Sequence, residues 1–230
     1  MGTPEPKRLG EGAMARVARI LAARGIDPAA VPDPDTDEPH PGLAAAEARI
    51  PLRYRHAVAE HPQVAAWVRA VATRAASPSK GARRLAATGP SVLLLGTTGT
   101  GKTHQAYGAI RSLTATGIGV RWQATTEADL YASLRPRPGG DTERELMTIA
   151  RCPVLILDDL GAAKGSEWTE ELLYRLINKR YNDVLPTLIT TNLAIRDLRQ
   201  SLGDRIASRL AEMTERVVLA GADRRRVRAA

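Results

Sequence analysis

Phenylalanine is absent from this chain of 230 residues, cysteine occurs once, and aromatic residues make up only 3%. Without Phe, a core has to be assembled from Leu, Ile, Val and Ala. The single thiol, Cys152, excludes a disulfide framework and a thiolate zinc site. Beside an expected strand, it reads as a small core residue. No apolar run reaches the length of a membrane span. The opening Met1-Gly2-Thr3-Pro4-Glu5-Pro6 lacks the pattern of a signal peptide, so a cytoplasmic location with no membrane partner is expected. Acids are scarce as well: 25 Asp and Glu stand against 33 Lys and Arg, a formal net charge of +8. That excess suits a polyanionic partner such as nucleic acid. It equally suits the compositional bias of an Ala- and Arg-rich proteome.

What is present is enough for one domain with an extension. Residues 7–24 show helical spacing, with Leu9, Ala13, Val17, Ile20 and Leu21 on one face. Gly25 and Asp27-Pro28 stop that helix. From Val31 to Gly42, prolines alternate with acids and leave little to bury, which reads as an extended linker. The charge then changes sign. Between Ile50 and Pro90, Arg53, Arg55, Arg69, Arg74, Lys80, Arg83 and Arg84 face one acid, Glu60. They form either a solvated basic face around a packed helix over 62–76 or a surface for nucleic acid. From Ser91 onward, apolar strands are expected over 91–96, 118–123, 153–158, 186–191 and 215–219. Between them, helices are expected over 102–115, 126–134, 141–150, 168–182, 194–200 and 203–212. This alternation implies an α/β fold with a largely parallel sheet covered on both faces.

Gly96-Thr97-Thr98-Gly99-Thr100-Gly101-Lys102-Thr103 matches the phosphate-loop pattern G-x-x-x-x-G-K-[ST] in full. It follows the apolar run Val92–Leu95 and opens a helical pattern that begins with His104, the context this loop requires. Its glycines let backbone N–H groups turn inward around phosphates at a helix N-terminus. Lys102 would reach the β- and γ-phosphates of ATP, and the Thr103 hydroxyl would ligate Mg²⁺.

The run Val154-Leu155-Ile156-Leu157 ends in Asp158 and Asp159. The first acid is expected on the Mg²⁺ side, through a coordinated water, and the second at the attacking water. In Trp168–Tyr181, Leu172, Leu173, Leu176 and Ile177 form the core stripe. Glu170, Glu171, Arg175, Lys179 and Arg180 are expected to face outward, with Arg180 at a possible subunit edge. Asn192, at the end of the strand Thr187–Thr190, is placed to touch the γ-phosphate or the water. Arg205 and Arg209, four apart on one helical face, are candidates for a transition-state arginine supplied to a neighbouring subunit.

In order and spacing, these motifs resemble the DnaC-type helicase loaders of the AAA+ ATPases, with the transposition helper IstB as a close relative. The resemblance rests on Ile50-Pro51-Leu52-Arg53-Tyr54, GTTGTGKTH at 96–104 and VLILDDLGAAKGSEWTEELLYRLINKRY at 154–181. PTLITTNL at 186–193, LGDRIASRL at 202–210 and VVLAGADRR at 217–225 complete it. It implies a P-loop NTPase of the αβα sandwich type, with a five-stranded parallel sheet over 50–230 and a helical extension and linker over 1–49. Walker A would be 96–103, Walker B Asp158 and Asp159, sensor 1 Asn192, and the arginine finger Arg209 with Arg205 in support. It further implies assembly into homo-oligomers, a hexameric replicative helicase and single-stranded DNA as partners, and slow ATP hydrolysis as a release switch. The extra helix of the family falls near Thr125–Arg137, making Arg135 and Arg137 candidate DNA contacts.

Two departures from the family pattern are expected: a short N-terminal region without a Cys/His zinc cluster, and no helical lid after the last strand. Arg224 or Arg225 stands nearest to a sensor-2 arginine, and residues 7–24 are assigned to the helicase by position alone. AAA+ enzymes more often carry Glu where Asp159 stands, and a displacement near 1 Å can cost about a hundredfold in rate. The alternative within the fold is an IstB-like ATPase that assembles on DNA and contacts a transposase. A small-molecule kinase would need a lid and an acceptor site that the sequence does not show. A nucleotide-gated binding module with negligible turnover stays open.

Overall fold

The structure is a computed structural model and describes residues 48–80, 82–163, 165–221 and 223. The expected helix over 7–24, the acidic linker, and Arg224 and Arg225 lie outside the described residues.

Five strands form one parallel sheet: β1 Ser91–Leu95, β2 Trp122–Thr126, β3 Val154–Leu160, β4 Thr187–Thr191 and β5 Thr214–Val218, in the order β2-β3-β4-β1-β5. The helices are α1 Pro62–Arg74, α2 Lys102–Ala115, α3 Glu127–Ser133, α4 Thr142–Ala150, α5 Glu167–Asn182, α6 Ile195–Leu202 and α7 Asp204–Met213. β1 and β4 are buried at every position, as parallel strands covered on both faces must be. β5, at the sheet edge, leaves Glu215, Arg216 and Val218 exposed.

Because successive strand residues point to opposite faces, the sheet divides the core in two. Val92, Leu94, Ile156, Leu188 and Val217 pack under α1 and α2 with Val64, Trp67, Val71, Ile110 and Leu113. Leu93, Leu95, Leu155, Leu157 and Ile189 pack under α3 to α7 with Leu130, Leu146, Leu172, Leu176 and Leu210. The expected stripes of α1 and α5 are buried as read, and the Phe-free core is largely aliphatic. The αβα architecture expected from the sequence is present.

Four expectations fail. The second strand runs over Trp122–Thr126 rather than 118–123. Ile118 is buried in the α1–α2 core, and Gly119 pairs with the segment around Leu85 rather than with the sheet. Gly119 N–H donates to Arg84 O (2.7 Å), and Ala86 N–H donates to Gly119 O (3.0 Å). Arg180 does not face outward. It is completely buried and donates to Thr187 Oγ1 (2.8 Å), Ala150 O (3.1 Å), Cys152 O (2.7 Å) and Pro186 O (2.8 Å). Cys152 is half-buried just before β3 rather than a core residue, and its burial raises the thiol pKa. Arg135 and Arg137 stand beyond the end of α3, in the α3–α4 loop, rather than on the helix.

The basic stretch before β1 is partly spent on structure. Arg84 donates to Ala72 O, Thr73 O and Ala75 O at the end of α1 (2.9–3.0 Å). Arg83 donates to Gly117 O and Ile118 O just past α2 (2.9 Å each). Cations at helix C-termini meet carbonyls that have no partner within the helix. At Gly108 the segment Val58–Ala59 crosses α2 so closely that any Cβ would strike its backbone.

Candidate active site

The site lies where β1, β3 and β4 end. The loop after β1 leads into α2 through Gly101, whose φ of 95° lies in the left-handed region that favours glycine. The turn brings Lys102 inward, only 5% exposed, with its ammonium on Gly96 O (2.8 Å) and Thr97 O (2.9 Å). Thr97 and Thr98 are exposed at the loop crest, while Thr100 is buried and donates from Oγ1 to Thr97 O (2.9 Å). His104 Nε2 accepts the Val58 N–H (3.3 Å), tying α2 to the segment before α1.

In a regular strand Asp158 and Asp159 would point to opposite faces. A bulge prevents this. Leu157 pairs with Ile189 and Leu160 with Thr191, so β3 spends one extra residue there. Asp159 has a φ of 55°, a left-handed conformation uncommon for a non-glycine residue. Both carboxylates therefore meet groups at the same end of the sheet. Thr103 Oγ1 lies 3.1 Å from both Asp158 oxygens, and Thr190 Oγ1 donates to Asp158 Oδ1. The same Thr190 oxygen accepts the Asp159 N–H (3.0 Å), so one hydroxyl holds both acids.

Asn192 joins the two halves of the site. Its Oδ1 accepts from Lys102 Nζ (2.7 Å), and its Nδ2 donates to Asp159 Oδ1 (3.3 Å). Burial pushes the Asp158 carboxyl above the usual carboxylate range, and the neighbouring Asp159 charge adds to the rise. The Thr190 and Thr103 hydroxyls and the Lys102 charge oppose it.

The remaining expected residues are not brought to this point. Arg209 lies over the Tyr181 ring (4.7 Å to the centroid) and near Tyr174 (5.9 Å), and Arg205 lies over Tyr174 (5.2 Å). The two tyrosines of α5 thus form a cation–π shelf under both arginines, and Tyr181 Oη donates to Glu212 on α7 (2.7 Å). Arg137 donates to Ser133 O (2.7 Å) and pairs with Glu145 (2.6 Å), while Arg135 is exposed.

Sequence reading missed Thr190, Tyr174 and Tyr181. A signal existed for the first: β4 is fully buried, yet it carries Thr187, Thr190 and Thr191, and buried hydroxyls need partners.

A family model, the IstB-like ATP binding protein of IS21 type, matches residues 84–222. The chain belongs to the IstB-like ATP-binding protein family. The match spans the phosphate loop, the acid pair, Asn192 and both α7 arginines, which places all of them inside the family domain. The DnaC replicative helicase loader of Escherichia coli K12 is 25% identical over 123 residues, 52% of this chain and 49% of that protein. The ATP-binding protein of insertion sequence IS21 from Pseudomonas aeruginosa is 31% identical over 117 residues, 50% of this chain and 43% of that protein. The chain therefore spans about half the length, or less, of these curated relatives. A crystal structure of a DnaC helicase loader superposes with a TM-score of 0.60 at 30% identity, covering 74% of this chain and all of the other. The IstB-like fold is thus that of a P-loop AAA+ domain.

Thr103 and Asp158 offer a hydroxyl and a carboxylate, hard oxygen donors that suit Mg²⁺. No group of three or more His, Cys, Asp or Glu among the described residues could hold a metal ion. A Mg²⁺ held by Thr103 and Asp158 would complete its shell with water and with phosphate oxygens of a nucleotide.

Proposed function

We propose that this chain binds Mg²⁺-ATP and hydrolyses it slowly, using the nucleotide to hold and then release a replicative helicase on single-stranded DNA. The observation that carries the ATPase reading is the Asn192 bridge between Lys102 and Asp159. It links the phosphate-holding cation to the carboxylate placed at the attacking water. Backbone N–H groups of 96–103 and Lys102 hold the phosphates, while Thr103 and Asp158 would hold Mg²⁺, which would supply charge neutralisation on the phosphates. Asp159 orients and polarises the water, and Asn192 fixes both the water-side carboxylate and the γ-phosphate side. Arg209, steadied by Tyr181 and Tyr174 and supported by Arg205, serves the site of a neighbouring copy in a homo-oligomer. Residues 1–49 form the helicase-binding extension and 50–230 the ATPase domain, with Arg135 and Arg137 at the DNA.

The likeness to a DnaC loader structure over the whole of that chain supports the loading role. The second reading, a transposition helper that assembles on DNA and contacts a transposase, draws on the family match and the IS21 relative. Affinity capture from the native host with and without ATP separates them. ATP-dependent recovery of a replicative helicase supports the first, recovery of a transposase supports the second, and neither refutes both. Lys102→Ala tests the shared part. It should weaken ATP binding by about a hundredfold, the loss of a charge-assisted phosphate contact of ~3 kcal/mol. Wild-type affinity in an equilibrium binding titration would refute the phosphate-loop assignment.

A further inference from the structure

The acid pair is followed by a tight turn whose shape is imposed from outside β3. Asp159 O accepts the Ala162 N–H (3.2 Å), and Gly161 has a φ of 85°, so residues 159–162 reverse the chain sharply. Two N–H groups of this region, those of Gly161 (2.8 Å) and Ala163 (3.2 Å), donate to one oxygen, Glu127 Oε2. The other oxygen, Glu127 Oε1, accepts from Tyr131 Oη one helical turn along (2.9 Å). Glu127 is only 3% exposed, and these three partners are all neutral donors. Sheet register explains how it gets there. Thr126, the last residue of β2, pairs with Asp158, so the next residue of that chain emerges beside Asp159.

A buried carboxylate is costly unless its oxygens are met by hydrogen bonds, and here they are met by the backbone just past the catalytic candidates. We propose that Glu127 is a positioning residue for Asp159. By clamping the N–H groups of Gly161 and Ala163, it fixes the turn that holds Asp159 in its left-handed conformation and aims its carboxylate at Asn192. The inference rests on the reading of Asp159 as the water-orienting group. Since Glu127 is also the first residue of α3, a displacement of that helix is passed to the turn through this carboxylate.

What matters for such a clamp is reach rather than charge. Glu127→Gln keeps an oxygen at the same distance to accept both N–H groups, and its amide can donate to Tyr131. Glu127→Asp keeps the charge but retracts the carboxylate by one methylene, too short to span to the turn. A role in charge balance or burial alone predicts the opposite order.

The test is single-turnover hydrolysis of Mg²⁺-ATP by the full chain, with nucleotide affinity measured on the same samples. Glu127→Asp and Glu127→Ala should hydrolyse about ten- to a hundredfold more slowly, the cost of misplacing a catalytic group by an ångström or less. Glu127→Gln should stay within about threefold of wild type, and ATP affinity should be unchanged in all three. Asp159→Asn, run alongside, separates the two layers. If it hydrolyses at the wild-type rate, the Asp159 reading falls and takes this inference with it. If it is slow while Glu127→Asp is unimpaired, only the role of Glu127 falls. Loss of ATP affinity in step with rate, or a Gln variant as slow as Ala, also overturns the clamp. Should Glu127→Ala fail to fold, the Asp-against-Gln contrast decides the matter by itself.

Discussion

The two ends of the β3–β4 pair are both polar, yet one is buried and the other open, and they are built to opposite purposes. At the strand starts, Arg180 is enclosed, and its guanidinium donates to three carbonyls and the Thr187 hydroxyl. Burial lowers its pKa to about 10, which leaves it charged at neutral pH. That cluster is closed: it joins α4, α5 and β4 and offers no acceptor to a ligand. At the strand finishes, Thr190, Asp158, Asp159, Asn192 and Lys102 form a chain of hydrogen bonds that includes two acids, one residue in a left-handed conformation, and a carboxyl with a raised pKa. Strain and unfavourable ionisation collect where charge is to be exchanged with a nucleotide. A closed polar cluster stabilises the fold, whereas an open one keeps capacity in reserve.

The comparison can be broken most forcefully at the closed end. Arg180→Ala removes a charged donor from three carbonyls and a hydroxyl, and should cost about 3–5 kcal/mol of stability. Denaturant titration reads that loss, while the molecules that remain folded should bind ATP as the wild type does. A loss of affinity without a loss of stability would mean the two ends are not separate.

At the open end, Thr190→Val removes the hydroxyl shared by the acids and leaves the Asp159 N–H without its partner. The expected cost is ~1–3 kcal/mol, accompanied by slower hydrolysis. A stability loss with unaltered turnover would place Thr190 in the structural class with Thr187.

The smallest effect has the opposite sign. The folded-state pKa of Asp158 lies above its unfolded value, so folding disfavours the ionised carboxylate. The contribution of this group is most favourable below the unfolded pKa and is lost as pH rises through the folded one. Asp158→Asn should therefore raise the Tm of the nucleotide-free protein at pH 7, and the gain should shrink as the pH falls toward the carboxylate range. It should also abolish Mg²⁺-dependent turnover. A lower Tm at pH 7 would show that its hydrogen bonds outweigh its desolvation.

Much of this was legible in the sequence because it is local. The phosphate loop is contiguous in Gly96–Thr103, and its chemistry is mostly backbone geometry, so a pattern of glycines with Lys102 and Thr103 suffices to find it. The acid strand is an apolar run that ends in two carboxylates, and its observed span, Val154–Leu160, includes both. Arg180 carries a charge that points outward by residue type, whereas its place in the helical period points inward. Leu173, Ile177 and Arg180 follow the i, i+4, i+7 spacing of one helical face, so the apolar stripe itself led to the buried position. Ile118 and Val120 look like strand residues, yet the second strand begins only at Trp122. They are apolar for the sake of the α1–α2 core, and the true strand, WQATT, is only buried at Trp122. Thr190, Tyr174, Tyr181 and Glu127 act across the fold, and no linear spacing connects them to the groups they hold.

The role of Asp159 is tested most directly by single-turnover hydrolysis of Mg²⁺-ATP, with binding measured on the same samples, for wild type and Asp159→Asn. The Asn192 bridge and the bulge predict that the variant binds ATP with unchanged affinity and hydrolyses it about a hundredfold more slowly, a barrier higher by ~2.7 kcal/mol. Equal rates would contradict this and leave a nucleotide-sensing module in which the second acid has no catalytic part.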